Sequence, residues 1–165
     1  VPVLINYSVG KKRFEKMPDE GDLDLLDRIE MKAIPYWHPT DELPEGYNTE
    51  QPKKSHGVTH VHQFYSKRNL LLLTCAHSKI VKCDDRTLFT WLTSSMIRTS
   101  KLYKFTLDRK MGTVSGTLYI PSLWTENSVI KLLKYKLNNF KKSSYPNKHL
   151  VVVENSSSTT LVTIP

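Results

Sequence analysis

The segment Gly57–Leu73, with the sequence GVTHVHQFYSKRNLLLL, constrains the fold of this chain more than any other stretch. Ser66 is a favoured helix N-cap, because its hydroxyl accepts a backbone N–H that lacks a partner in the first helical turn. An apolar run, Leu70–Leu73, follows and is typical of a buried helix. The segment therefore predicts a short strand through His60 and His62, a tight aromatic corner, and a buried helix that starts after Ser66.

The first turn of this predicted helix carries two cations, Lys67 and Arg68. Positive charge at a helix N-terminus opposes the helix dipole, which favours anions there. Chains tolerate such an arrangement where the cations have another role. Contact with phosphate is one such role, and it makes both residues candidates for nucleic-acid binding.

Charge is distributed unevenly along the 165 residues, whose formal net charge is +8. Residues 1–50 hold 6 Lys and Arg against 11 Asp and Glu, a balance of −5. Residues 51–165 hold 18 against 5, a balance of +13. Such an excess indicates a polyanionic partner, nucleic acid before membrane, and a basic surface with no partner is the alternative.

A second cationic segment, Arg98–Met111, also contains the aromatic residues Tyr103 and Phe105. Cations mixed with aromatics are typical of a surface that follows a phosphate backbone and stacks on bases. A mobile, solvated loop is the alternative interpretation. The candidate phosphate contacts of this segment are Lys101, Lys104, Arg109 and Lys110.

The N-terminal 17 residues predict a β-hairpin, with strands at Val3–Tyr7 and Phe14–Met17. The acids that follow suit the first turn of a helix, because they complement its dipole. The buried face of that helix is predicted to be Leu25, Leu26 and Ile29.

A Pro-rich stretch, Ile34–His56, is predicted to be a long loop. Loops of this length are usually functional or wrapped on a neighbouring element. Tyr36 and Trp37 either pin it to the core or form a stacking platform for bases.

The rest of the chain, within a single segment 18–165, alternates predicted helices and strands. Asp84 or Asp85 is expected to cap a helix that ends near Ile97, and Thr125 to cap another that ends near Phe140. The buried faces are predicted to be Leu88, Phe89, Trp91, Leu92 and Met96 in the first helix, and Val129, Ile130, Leu133, Leu137 and Phe140 in the second. Strands are predicted at Val114–Ile120 and at His149–Glu154, the latter within a parallel sheet.

The sequence contains no Gly-x-Gly loop, Walker motif, Gly-x-Ser-x-Gly elbow or His-Glu-x-x-His motif. His60 and His62 would share one face of a strand, but further metal ligands are not evident, which favours structural or phosphate-contacting roles. Cys75 and Cys83 lack the spacing of a structural zinc site and are predicted to be free thiols. We therefore expect no catalytic residue and no metal site in this chain.

Three strings carry a family resemblance: IPYWHPTDELPEG (Ile34–Gly46), GVTHVHQFYSKRNLLLL (Gly57–Leu73) and SGTLYIPSL (Ser115–Leu123). In order and spacing they resemble the internal region of prokaryotic DNA methyltransferases that methylate adenine N6 or cytosine N4. That region lies between the cofactor motif Asp-Pro-Phe-x-Gly-x-Gly and the catalytic Asp-Pro-Pro-aromatic motif, and this sequence contains neither.

The resemblance implies an α/β fold, a partial doubly wound methyltransferase-like sheet with helices, preceded by the hairpin and the Pro-rich loop. Residues 1–17 would be the trailing part of a zinc ribbon whose cysteine pairs are missing here. Both ends of the chain are expected to be cut points in a longer parent protein. S-adenosylmethionine would bind in that parent, and no cofactor is expected in this fragment.

The sequence-based hypothesis is therefore a cytoplasmic DNA methyltransferase fragment, itself inactive, that contacts duplex DNA and the remaining parts of its parent. The six cations at the helix start and in the second segment would neutralise phosphates, with His60, His62 and Tyr65 at the lip of the site. Open sheet edges would allow a homodimer, and no membrane partner is expected because the longest apolar run, Leu70–Ala76, is too short to span a bilayer. The alternatives are a stand-alone nucleic-acid-binding or adaptor module without catalysis, and a remnant that binds nothing.

Overall fold

The computed structural model describes residues 2–106, 112–114, 116–142, 151–155 and 159–163, with residues 140–142 and the last two ranges described by backbone alone. This part of the chain is mixed α/β, as predicted. Its elements in chain order are β1 (Ile5–Val9), β2 (Lys12–Lys16), α1 (Glu20–Glu30), α2 (Tyr47–His56), a 3₁₀ turn (Val61–Phe64), α3 (Lys67–Cys83), α4 (Arg86–Thr99), α5 (Val129–Lys142), β3 (Val151–Asn155) and β4 (Thr159–Thr163). None of these helices is long and apolar enough to cross a bilayer.

The predicted N-terminal hairpin is confirmed, with each strand shifted by about two residues. Strands β1 and β2 pair antiparallel, and Tyr7 lies opposite Phe14 with the two rings stacked 5.4 Å apart. The turn is tighter than predicted because Gly10 adopts a φ of 59°, a left-handed conformation that glycine reaches without strain.

The last strands differ from the predicted parallel sheet. β3 pairs antiparallel with β4, so that Val151 lies opposite Thr163. Only three residues separate the two strands, whereas a parallel crossover needs a dozen or more. Among the described residues both sheets are two-stranded antiparallel pairs.

Helix α1 confirms that the N-terminal acids belong to a helix start. Asp19 and Asp22 form a reciprocal capping box, with two backbone-to-carboxylate hydrogen bonds of 3.0 Å. Lys16 pairs with both carboxylates, at 2.8 Å and 2.7 Å. The predicted burial of Leu25 is wrong, because α1 packs on α3 and leaves this side chain 48% exposed on the other face.

Helix α2 occupies the second half of the stretch predicted to be a loop, so that prediction is wrong for Tyr47–His56. Its main anchor is Gln51, whose amide pairs with the backbone of Ile120 through bonds of 2.9 Å and 3.0 Å. The helix ends at Gly57, in the left-handed conformation with a φ of 63°. Because Gln51 and Ile120 lie 69 residues apart, local sequence patterns could not indicate this pairing.

The strand predicted at Val114–Ile120 is wrong, since the structure contains no strand there among the residues it describes. Ile120 bonds to a side-chain amide instead of a neighbouring strand. The next helix, α5, begins after Ser128, whose carbonyl accepts the Leu132 N–H at 3.1 Å, so Thr125 is not its cap.

Two hydrophobic clusters form the core. The first comprises Leu43, Val58, Phe64 and Ile120, and the second Leu73, Leu92 and Val129. Tyr65 packs against both clusters, which makes the aromatic corner the junction between the α2 side of the molecule and the α3–α4–α5 bundle.

Several predicted core positions are exposed instead. Trp37 is 70% exposed and lies tilted against His77, so it does not pin its loop by burial, whereas Tyr36 is half-buried. Of the predicted core positions on the bundle, four are exposed: Phe89, Met96, Ile130 and Leu137. Three helices can bury only the stripes that face one another, and these four lie outside them. Phe140 lies outside the described side chains.

Candidate nucleic-acid interface

The chain reaches the aromatic corner through a turn rather than the predicted strand. The Gln63 Oε1 atom accepts the N–H groups of Thr59 at 2.7 Å and His60 at 3.1 Å. This closes a 3₁₀ turn and leaves a single bridge, between Glu42 and His60, in place of a strand. The predicted cap is confirmed, since Ser66 Oγ accepts the Asn69 N–H at 3.3 Å at the start of α3.

The structure brings the two predicted cationic segments together at this corner. The Lys101 N–H donates to the Phe64 carbonyl at 2.8 Å. Within the first turn of α3, the Asn69 side chain donates to the Thr99 carbonyl at 2.9 Å. The segment that follows α4 therefore runs beside the start of α3.

Glu126 is the main member of the site that sequence reasoning missed. It accepts hydrogen bonds from Ser66 Oγ at 2.5 Å and from Arg68 Nε at 3.0 Å. Arg68 also forms an ion pair with the same carboxylate at 3.0 Å. Arg68 thus holds the loop before α5 in place, and its charge is compensated within the protein.

A signal for Glu126 was present in the composition. Residues 51–165 contain only five acids, and two of them, Asp84 and Asp85, flank the start of a helix. An isolated carboxylate among so many cations is a candidate ion-pair partner. Its partner could not be chosen from sequence, because Arg68 lies 58 residues away.

Lys101 is half-buried beside this network. Burial lowers the pKa of its ammonium, and the nearby carboxylates of Glu30 and Glu126 oppose that shift. Within the described part of the chain, no carboxylate lies within ion-pair distance of Lys101. A partly desolvated cation without a close counter-charge is suited to receive an anion.

The remaining predicted cations divide into two groups, and Arg98 is an additional cation of this region. Lys67 and Lys104 are half-buried and belong to no ion pair among the described residues. Arg98, which was not in the predicted set, is exposed, with its guanidinium 6.0 Å from the centre of the Tyr103 ring. Arg109 and Lys110 lie outside the described residues.

Tyr65 lies deeper than a residue at the lip of a site. It packs between the two hydrophobic clusters, and burial raises the pKa of its hydroxyl. Its ring therefore belongs to the packed interior of the corner, and the neighbouring cations lie around it.

The two predicted histidines lie together, joined by a third. The ring centres of His60 and His62 are 5.7 Å apart, and His38 lies edge-on to His62 at 5.5 Å. Burial lowers the pKa of His62, and the neighbouring imidazoles act in the same direction, against a hydrogen bond to the Pro39 carbonyl. In the ranges that the structure describes, no group of three or more His, Cys, Asp or Glu could hold a metal ion.

Protonation of His62 is expected to destabilise the fold. Because its pKa is lowered in the folded state, the unfolded chain binds the proton first, and stability is lost as the pH falls below the ordinary histidine value of about 6.5. Urea denaturation of the chain and of His62→Gln, at neutral pH and at about pH 5.5, tests this. The variant should lose less stability on acidification, and equal losses in the two proteins would contradict the assignment.

The described connection from a strand into a helix lacks the glycines expected of a turn that binds S-adenosylmethionine. A cradle for such a cofactor needs glycines at the turn from a strand into a helix, where the backbone can approach the ligand closely. The connection from β2 to α1, Met17–Asp19, contains no glycine. Gly10 and Gly57 instead lie in the hairpin turn and at the end of α2.

Comparison with known proteins adds no relative from which a role could be transferred. No protein-family model, curated protein or solved structure matches this chain. The site geometry above and the three sequence strings that resemble a methyltransferase region are therefore the basis for a proposed function.

Proposed function

We propose that this chain is a DNA-contacting region of an S-adenosylmethionine-dependent DNA methyltransferase that acts on adenine N6 or cytosine N4. The observation that carries the proposal is the hydrogen bond between Lys101 and Phe64, which joins two cationic segments on one corner. Their cations are separated by more than thirty residues in sequence, yet they lie on adjoining backbone.

In this proposal the residues of the corner have separate roles. Lys67, Lys101 and Lys104 neutralise phosphates of duplex DNA, which dominate the affinity of such interfaces. Arg68 and Glu126 fix the loop before α5 so that the corner keeps its shape. His60 and His62 lie beside the corner, on the face where a base flipped from the duplex would approach.

The parent enzyme supplies the chemistry in this proposal. The cofactor loop, the catalytic motif and the strands of a doubly wound sheet belong to segments on either side of this chain. The chain itself binds DNA and supports those segments, and the transfer step uses none of its side chains.

Removal of two phosphate contacts should weaken DNA binding strongly. For the double variant Lys67→Ala and Lys104→Ala we expect roughly a hundredfold loss of affinity at about 50 mM salt, and a salt slope lower by about two. Fluorescence anisotropy with a labelled duplex measures both quantities. The matched control is Lys11→Ala with Lys12→Ala, which removes equal charge from the exposed hairpin.

Equal losses in the two double variants would contradict the proposal, since binding would then follow net charge and not this corner. The methyltransferase context is tested separately, by reading the encoding frame on both sides of the chain. Asp-Pro-Phe-x-Gly-x-Gly on one side and Asp-Pro-Pro-aromatic on the other are expected. If the frame contains neither motif, the methyltransferase part of the proposal is wrong, and only DNA binding by the chain is left to test.

A further inference from the structure

Helices α3, α4 and α5 form an open apolar groove. The C-terminal part of α3 contributes to it through Ile80. The groove has a volume of about 260 Å³. Its apolar lining consists of Ile80, Leu88, Trp91, Ile130, Leu133 and Leu137. Only Lys134 adds a charge to the lining.

The groove follows from how α4 and α5 pack. The Asn127 side chain donates to the Arg98 carbonyl at 2.8 Å, and Lys136 Nζ donates to Ser94 Oγ at 2.6 Å. Because the end of α4 thus lies beside the start of α5, the two helices run antiparallel. Ile130 is 50% exposed and Leu137 is 41% exposed, so the side of α5 along the groove is an apolar stripe left open.

The two helices that contribute most of the lining, α4 and α5, carry charge of one sign. Helix α4 contains two arginines and α5 five lysines, and neither contains an Asp or a Glu. No ion pair among the described residues involves either helix. An occupant that is apolar on one side and acidic at its edges would complement this surface.

We propose that the groove binds an acidic amphipathic helix of a partner protein. Such a helix inserts apolar side chains from successive turns into a groove between helices. Its Asp and Glu residues would face Lys134, which lies at the groove itself. This interaction surface is separate from the proposed DNA contact and does not depend on it.

Other occupants fit the groove less well. Its volume lies below the roughly 300–1,000 Å³ of typical small-molecule pockets. The apolar lining offers nothing to phosphate, which excludes the groove itself as a nucleic-acid site. A membrane surface binds convex apolar faces, whereas these side chains line a concavity.

The test uses the 165-residue chain and a labelled synthetic peptide helix with leucines at positions i, i+3 and i+7 and glutamates on its remaining faces. Three comparison probes are measured alongside. They are a peptide of the same composition in scrambled order, the same stripe with lysine in place of glutamate, and phosphatidylserine vesicles. The proposal expects the acidic, striped peptide to bind at least tenfold more tightly than either control peptide, and the vesicles to show no saturable binding.

The matched substitutions are Ile130→Glu in the groove and Ile97→Glu outside it, two isoleucines that are 50% and 57% exposed on neighbouring helices. Ile130→Glu should weaken peptide binding at least tenfold, and Ile97→Glu less than twofold, with circular dichroism confirming that both variants are folded. Equal effects of the two substitutions, no preference among the peptides, or binding to vesicles alone would overturn the proposal. Self-association blocked by Ile130→Glu, without peptide binding, would overturn it in favour of a second copy of the chain.

Discussion

Replacement of Ile120 by Ala is expected to lower the free energy of unfolding by about 3–4 kcal/mol, near the upper part of the range for large-to-small substitutions in cores. Ile120 has 0% exposure and packs with Leu43, Val58 and Phe64. The N–H and the carbonyl of Ile120 are both hydrogen-bonded to the Gln51 side chain. These bonds limit how far the backbone can relax into the cavity that the substitution would leave. Urea denaturation followed by circular dichroism measures the change.

The control for this substitution is Ile97→Ala, because Ile97 is 57% exposed on α4. It removes the same atoms from a side chain that is mostly in water already, so we expect a loss below about 1 kcal/mol. Similar losses at the two positions would show that Ile120 does not lie in a packed core.

Replacement of Asn69 by Ala is expected to destabilise the chain by about 2–3 kcal/mol. Asn69 has 0% exposure, and its Nδ2 atom donates to the carbonyls of Thr99 at 2.9 Å and Asn127 at 3.0 Å. The substitution leaves both carbonyls without this donor. Among the described atoms Asn69 Oδ1 has no hydrogen-bond partner, so its removal offsets part of the loss.

The expected shift in the thermal midpoint is roughly 4–12 °C, from about 2–4 °C per kcal/mol for a chain of this size. Asn138→Ala is the control, since Asn138 is exposed on α5 and should change stability by less than about 0.5 kcal/mol. A shift at Asn69 no larger than at Asn138 would contradict the bridging role of its side chain.

The helix starts, the N-terminal hairpin and helix α3 could be predicted from the sequence, because each depends on residues close together in the chain. Asp19, Ser66 and Asp85 each accept backbone N–H groups at a helix start, and all three helices begin there. The hairpin and the long apolar helix α3 follow in the same way from turn chemistry and from apolar periodicity. These features need only neighbours within a few residues.

The parts that sequence reasoning missed depend on distant partners. Helix α2 has few apolar residues and an internal proline, and its pairing partner Ile120 lies 69 residues away. The apolar stripe of α5 was correctly placed on one helix, but sequence could not show that Ile130 and Leu137 would remain exposed. Exposure depends on what packs opposite, which periodicity does not specify.

The candidate site shows the same division. Pattern and charge selected Lys67, Lys101 and Lys104 as neighbours in function, and the structure places their segments on one corner. Sequence reasoning gave Arg68 the same role, but Glu126 compensates its charge within the protein. That pairing joins positions 58 residues apart, and charge counting alone cannot separate a free cation from a paired one.

The most direct test of DNA contact by this corner is the salt dependence of duplex binding by the 165-residue chain. Phosphate contacts by Lys67, Lys101 and Lys104 would release counterions, and three such contacts predict a fall in affinity of about fortyfold between 50 and 200 mM salt. If all six cations of the sequence-based hypothesis made phosphate contacts, the fall over the same range would be about 10³-fold. An affinity that changes less than about threefold over this range would contradict the proposed function.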